Sequence, residues 1–339
     1  MNSDAMQDRT SAIKAVSDFT AIRNESDFMA KCLDAFHYQA VHVPVYREFL
    51  RLMDIRREDV SSMEEIPFLP ADMFRNHDVI SDEKNAETVF TSSGTTGSEQ
   101  SRHPVADLSM YEKSFEASFR LFYGNPEEYC ILALLPSYLE RDGSSLIYMT
   151  EKLIWLSRDP LSGFFLNNHD ALSETIQKLN RSGRKTILLG VSYALLDFSE
   201  KHPIQLHDDF IVMETGGMKG RRKEMIRVEL HEKLTSAFGV ETIHSEYGMT
   251  ELLSQAYSNG QGIFRCPPWM KILCRDIYDP LSHPPANRSG AVNIVDLANY
   301  YSCSFIATSD IGKIHDDGSF EILGRIDNSI MRGCNLLIH

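Results

Sequence analysis

Thr91-Ser92-Ser93-Gly94-Thr95-Thr96-Gly97-Ser98-Glu99 follows directly on Glu87-Thr88-Val89-Phe90, a short strand-like run. No other stretch of the chain is so biased toward hydroxyls and glycine. Gly94 and Gly97 let backbone N–H groups turn toward one point, and the hydroxyls of Thr91, Ser92, Ser93, Thr95 and Thr96 add side-chain donors. Such a loop suits the phosphates of a nucleotide. It is not a Walker A loop, which needs Lys and then Ser or Thr after its last glycine where this chain has Ser98-Glu99, and it does not match G-x-G-x-x-G. Taken alone, the same composition describes a flexible connector, so the rest of the chain has to decide.

The chain has 339 residues, 42% of them hydrophobic, enough for a large core arranged as one elaborate domain or two. A formal net charge of −14 argues against a nucleic-acid partner, because affinity for a phosphate backbone comes from clustered Lys and Arg. ATP is not excluded by that sum. A small anion responds to the few donors aimed at it, and remote carboxylates are screened over about 8–10 Å. The start, Met1 to Thr10, is polar, and the longest apolar run, Cys130 to Pro136, is far below a membrane span. The expectation is a cytoplasmic protein with no membrane insertion. Cys32, Cys130, Cys266, Cys274, Cys303 and Cys334 form no C-x-x-C pair, which favours free thiols over zinc or a disulfide framework.

Residues 1 to about 55 have a helical apolar stripe, with Phe28, Cys32, Leu33 and Phe36 followed by Val45, Phe49, Leu50 and Met53. Ile66-Pro67-Phe68-Leu69-Pro70, with a proline near each end, reads as an extended linker. Helix and strand patterns then alternate: Leu108 to Phe122 (helix), Tyr129 to Leu135 (strand), Ser144 to Leu156 and Asp170 to Asn180 (helices), Lys185 to Gly190 (strand), Tyr193 to Lys201 (helix), Phe210 to Glu214 (strand), Arg221 to Phe238 (helix) and Glu241 to Ser245 (strand). That rhythm predicts a mostly parallel sheet flanked by helices. From about 256 onward short β-like pieces follow (Lys271 to Cys274, Gly290 to Leu297, Ser304 to Thr308, Phe320 to Leu323). The expected division is a helical cap over 1–60, an α/β nucleotide-binding core over 61–255 and a β-rich subdomain over 256–339.

Four further stretches sit where turns should follow strands. Met213-Glu214-Thr215-Gly216-Gly217-Met218-Lys219-Gly220 ends a strand in glycines, where backbone can approach a flat base closely, although an ordinary strand-to-helix turn has the same pattern. In Ser245-Glu246-Tyr247-Gly248-Met249-Thr250-Glu251, Tyr247 can stack on a base, Thr250 offers a hydroxyl to phosphate and Glu251 a hard oxygen for Mg²⁺. After Thr308-Ser309, Asp310 can accept from two ribose hydroxyls. In Gly324-Arg325-Ile326-Asp327, Arg325 can reach phosphate or ribose, and Asp327 sits at a plausible pivot. For these last two a turn aspartate or a surface ion pair is the competing reading.

Taken in order, the five stretches resemble the adenylate-forming superfamily of acyl- and aryl-CoA synthetases, luciferases and relatives. Thr91 to Gly97 looks like its phosphate loop, Thr215-Gly216-Gly217 its adenine-side turn, Tyr247 to Glu251 its Tyr-Gly-x-Thr-Glu motif, Asp310 its ribose aspartate and Gly324-Arg325-x-Asp327 its hinge. Ile66 to Phe74, Leu135-Pro136-Ser137-Tyr138-Leu139 and Met331-Arg332-Gly333-Cys334 resemble the acyl-protein synthetase branch, the long-chain fatty-acid ligases of bacterial luminescence operons, and the phenylacetate-CoA ligases. The likeness covers roughly residues 60 to 339. It implies an adenylate-forming core with a β-rich C-terminal subdomain and without the usual lid domain. It also implies ATP and Mg²⁺ as cofactors, a small-molecule carboxylic acid as substrate and an acyl-accepting or acyl-donating protein as partner.

Two departures qualify the likeness. The phosphate loop lacks the usual Pro-Lys, leaving Arg102 or His103 to supply a cation, and the chain stops twelve residues after Asp327, before the lid and its lysine. Lys219 and Arg325 are the candidate replacements. The branch passes its acyl group to a cysteine near the C-terminus, here Cys334, beside Arg332 and Gly333; a small buried hydrophobe in a terminal strand is the competing reading.

Gly190-Val191-Ser192-Tyr193-Ala194 approximates a hydrolase nucleophile elbow, with His231 or His244 as a conceivable base, but its last glycine is missing. Under the resemblance, Ser192 and Tyr193, with Tyr138, line the acid's pocket instead. A CoA ligase acting on an aryl or short acyl acid, and a non-catalytic nucleotide-binding remnant, remain as alternative functions. His244-x-Glu246 lacks the Pro-Cys-x-x-Cys of a zinc deaminase, and the basic run Lys219 to Lys223 reads as a solvated helix face.

Overall fold

The computed structural model describes residues 18–93, 100–135, 143–216, 222, 225–277 and 288–326. In chain order the helices are α1 Glu25–His42, α2 Pro44–Leu52, α3 Met73–Asn76, α4 Leu108–Tyr123, α5 Ser145–Ser157, α6 His169–Ser182, α7 Ser192–Lys201 and α8 Arg227–Phe238. The strands are β1 Leu69–Pro70, β2 Thr88–Thr91, β3 Arg102–Val105, β4 Cys130–Leu134, β5 Gly163–Phe164, β6 Thr186–Val191, β7 Phe210–Thr215, β8 His244–Tyr247, β9 Ala256–Ser258, β10 Ile263–Arg265, β11 Met270–Arg275, β12 Ser289–Asp296, β13 Phe305–Ile314 and β14 Phe320–Arg325. They form two compact units, divided at Asn85/Ala86 and Pro267/Pro268.

The unit over 86–267 carries the mostly parallel, helix-flanked sheet that the alternation predicts. Its strands run in the order β5, β4, β6, β7, β8, β9, β10, parallel from β5 to β8 and antiparallel from β8 to β10. Every residue of β4 and β6 is buried, as a central parallel strand covered on both faces requires. Helices α5 and α7 pack on β4 and β6. The helices are bounded by local chemistry: Asp107 accepts from the Ser109 N–H at the start of α4, Asn168 accepts from Ala171 at the start of α6, and Gly183 closes α6 in the left-handed region.

Two of this unit's expected elements shift by three residues or more at one end. Helix α8 begins at Arg227 rather than Arg221, because Ile226 is extended and Arg222 is held by α7, donating to Asp197 Oδ1 and to Glu200 Oε1 at 2.8 Å each. Arg222 is therefore an ion-pair partner rather than part of a merely solvated face. Strand β8 runs from His244 to Tyr247 rather than from Glu241 to Ser245, its register fixed by the pairs Glu214↔Ser245 and Thr215↔Glu246.

The other unit joins 18–85 to the segment after 268. Strands β11, β12, β13 and β14 form an antiparallel array. Leu69 and Pro70, expected as linker, pair in parallel with Ile306 and Ala307 of β13, an edge position where Pro70 sacrifices no needed donor. The helix α1 is fixed to this array through Gln39, fully buried. Its amide donates to the carbonyls of Asn299 and Tyr300 at 3.1 and 3.0 Å and accepts from the Ser304 N–H at 3.0 Å. Phe36, Tyr46 and Phe68 meet Phe305 beside it. The described cysteines are free, and among the described residues no helix is long and apolar enough to cross a membrane.

Candidate active site

In the α/β unit, strands β6, β7 and β8 end side by side. The pairs Val191↔Thr215 and Thr215↔Glu246 bring the Ser192, Gly216 and Gly248 turns to one edge of the sheet, the carboxyl edge, where open α/β sheets bind ligands. Gly216 has φ 71°, a conformation that a side chain would strain. A Cβ on Gly248 would lie 2.5 Å from Glu246 Oε1, and Glu246 cannot easily retreat: it is buried and its other oxygen accepts from Thr215 Oγ1 at 2.5 Å. Glycine at 248 thus lets the turn fold down over its own strand.

The residues on either side of the hydroxyl-rich stretch form a neck, held beside this edge. Strands β2 and β3 form a hairpin pairing Thr91 with Arg102, and Ser92 and Ser101 close it: the Ser92 N–H donates to the Ser101 carbonyl at 3.0 Å and the Ser101 N–H to Ser92 Oγ at 2.9 Å. One side of the neck is held by the Thr91 N–H donating to the Gly143 carbonyl at 2.6 Å. On the other, His103 Nδ1 bonds the Thr250 carbonyl at 2.9 Å. A carbonyl only accepts, so Nδ1 carries the proton. Burial pushes the His103 imidazole down to about 4, so it is neutral near pH 7 and is a brace rather than the cation that the sequence suggested. Arg102 is exposed.

Glu251 is buried, 6% exposed, immediately beyond the Gly248 turn, and Tyr247 sets its ring at 6.0 Å from that of Phe264, edge to face. Among the described residues no three His, Cys, Asp or Glu gather to hold a metal. Mg²⁺ asks less than that, since one or two carboxylates and the phosphate oxygens of a nucleotide complete its shell, and Glu251 fits such a role. Ser192 and Tyr193 are both buried, and the Ser192 hydroxyl donates to Glu214 Oε2 at 2.9 Å, a bond to a carboxylate rather than to the imidazole that a hydrolase nucleophile needs. Leu195, Leu196 and Phe198 are core.

Sequence reasoning quoted Glu214 only as part of a strand. The structure makes it the centre of a buried network: Oε1 accepts from Ser245 Oγ at 2.8 Å, His231 Nε2 lies 3.6 Å away and Arg227 Nε 3.5 Å away. Burial by itself raises the Glu214 carboxyl, but the His231 and Arg227 contacts and the Ser245 hydroxyl outweigh it and hold the group below the usual carboxylate range. The available signal was a carboxylate inside an apolar strand, which has to find partners.

In the other unit, β13 and β14 run past their expected ends, so Asp310 lies inside β13 and Arg325 ends β14 rather than either standing in a turn; the two are cross-strand neighbours, and Arg325 Nε donates to Asp310 Oδ1 at 2.9 Å. Gly94, Thr95, Thr96, Gly97, Tyr138, Gly217, Lys219, Asp327 and Cys334 lie outside the described residues.

The fold is shared with a CoA ligase of known structure. The chain aligns with 2-hydroxyisobutyryl-CoA ligase in an open conformation in complex with 2-HIB-AMP and CoA, with a TM-score of 0.66 over 91% of this chain and 72% of that one at 13% identity. Its postadenylation state with R3-HIB-AMP gives 0.65 over 89% and 68% at 13% identity. Its thioesterification state with 2-HIB-AMP and CoA gives 0.64 over 91% and 70%, again at 13% identity. No protein-family model matches the chain, and no curated protein matches its sequence.

Proposed function

We propose that the protein activates a carboxylic acid with ATP and passes the acyl group to a thiol. A carboxylate oxygen of the acid attacks the α-phosphorus and pyrophosphate leaves with the electrons of the broken P–O bond; a thiolate then attacks the acyl carbon and AMP leaves. The observation that carries this reading is the convergence on one sheet edge of the Ser92–Ser101 neck, Thr250 and buried Glu251, on a fold shared with a ligase. In this reading the hydroxyls of Thr91, Ser92, Ser93 and Thr250 donate to phosphate and Tyr247 borders the base. Glu251 would hold Mg²⁺, which neutralises phosphate charge when bound. Asp310 and Arg325 keep, as proposals, the ribose and phosphate roles that the sequence resemblance gives them, and Lys219 the role of a second cation.

The same resemblance makes a long-chain fatty acid the proposed substrate and Cys334 the proposed acceptor. Burial supports excluding three other thiols: it pushes Cys32, Cys130 and Cys303 up to about 12, so each stays protonated near neutrality and is a poor nucleophile. The test is mass spectrometry and pyrophosphate release after incubation with Mg²⁺, ATP and a panel of fatty, aryl and short acids, with and without CoA. Wild type should gain one acyl group that Cys334→Ala does not, while Cys266→Ala still does. Glu251→Gln should slow pyrophosphate release by about 10²–10³-fold, the usual cost of one aimed electrostatic group. A CoA thioester without a protein adduct moves the acceptor to CoA. Absence of AMP and pyrophosphate with every acid removes the ligase reading.

A further inference from the structure

The Glu214 network reaches each of the turns at the carboxyl edge. Its Oε2 accepts from Ser192, the first residue of α7, and its Oε1 from Ser245, two residues before Tyr247; Glu214 itself stands two residues before Gly216. A second route runs through Arg227, whose guanidinium lies 5.0 Å from the centre of the Phe264 ring, and Phe264 in turn meets Tyr247. Gly262 lies close against the same arginine: a Cβ there would stand 2.8 Å from Arg227 Cδ. Two hydroxyls and two basic groups, drawn from α7, β8 and α8, thus converge on one carboxylate that is 5% exposed. Packed apolar side chains often stabilise such a place as well as a buried charge network does, which leaves fixing an arrangement as a use for this carboxylate.

We propose that Glu214 is the positioning residue of this site, holding the Ser192 turn and the Tyr247–Glu251 turn at one spacing, directly through the two serines and indirectly through Arg227 and Phe264. Its effect on catalysis rests on the adenylation reading; the mechanical tie does not.

The network predicts a division of labour. Ser192→Ala loosens the turn proposed for the acid and should raise KM for the acid about fivefold or more, with KM for ATP little changed. Arg227→Met, which breaks the route to Tyr247, should do the reverse, and Glu214→Gln should raise both. These constants are measured by ATP–pyrophosphate exchange at a temperature where circular dichroism shows each variant folded. A role in stability alone lowers the melting temperature and leaves both constants unchanged, and that result overturns the proposal. Hydrogen exchange on the free protein gives a readout that needs no activity. Amides of 192–195 and 247–252 should exchange at least tenfold faster in Glu214→Gln than in wild type, while those of α6 do not change; equal rates in both turns overturn the tie. If wild type makes no adenylate with any acid, the adenylation reading fails, and the exchange rates alone decide the tie.

Discussion

Two carboxylates, Glu214 in the α/β unit and Asp310 in the other, are both nearly out of solvent and both face a guanidinium, yet their surroundings differ in kind. Glu214 is gripped by hydroxyls and bases from three other elements. Asp310 pairs with the arginine opposite it on the adjacent strand, and that arginine side chain is 79% exposed. The first carboxylate is part of the frame. The second has a partner bathed in water, which can exchange the contact for another at small cost. Being buried, then, does not decide whether a charge is architectural or exchangeable; the exposure of its partners does.

Unfolding experiments can break that contrast. Glu214→Ala should cost about 3–5 kcal/mol in urea denaturation, because it strands Arg227 and His231 against an emptied buried site. A loss below about 1 kcal/mol would place Glu214 in the same class as Asp310.

The neck of the hairpin sharpens the contrast through pH. His103 has an ordinary value of 6.5 and about 4 when folded, so the unfolded chain takes up its proton first and stability rises with pH between those values. That contribution is complete above about 6.5 and amounts to about 3 kcal/mol lost on acidification to 4. His244, also pushed down to about 4 by burial, acts in the same direction. His103→Asn keeps a donor for the Thr250 carbonyl and removes the titration. Its stability should fall less steeply than that of wild type between pH 6.5 and 4, and parallel slopes would show that His103 is not desolvated in the folded protein.

A smaller effect is expected where the frame is apolar. A Cβ on Gly190 would meet Leu195 Cγ at 2.8 Å and Leu134 Cβ at 3.0 Å, so Gly190→Ala should cost about 1–3 kcal/mol by overpacking α7 against β4. A melting temperature equal to wild type would mean that α7 shifts freely. Least affected should be Arg325→Ala, at under about 1 kcal/mol in the same urea assay, since its charge is largely solvated. If that variant matched the loss at Glu214, the contrast between the two carboxylates would be gone.

Local patterning made much of this molecule legible. The alternation of apolar strands with capped amphipathic helices gave β4, β6, β7 and α4 to α7 to within a residue or two, and the glycines at 216 and 248 marked turns that do need glycine. Those features depend on neighbours in sequence: a hydrogen-bonded cap, a period, a backbone angle. The polar ties were not legible. Glu214 reads as one residue of a strand until Ser192, Arg227, His231 and Ser245 are folded around it, and His103 reads as a free base until burial removes its charge.

By itself, then, the sequence determined the class of fold, most of the helices and parallel strands of the α/β unit and the glycine-bearing turns at 216 and 248, because each is set by short-range periodicity and backbone conformation. Only the tertiary structure decided that Gln39 of the first long helix secures the corner before β13, that the hydroxyl-rich loop has its neck held against the carboxyl edge, and that Glu214 rather than Ser192 is the hub there. These outcomes rest on desolvation and on partners distant along the chain, and a buried polar group takes its charge and its role from whichever groups the fold brings to it.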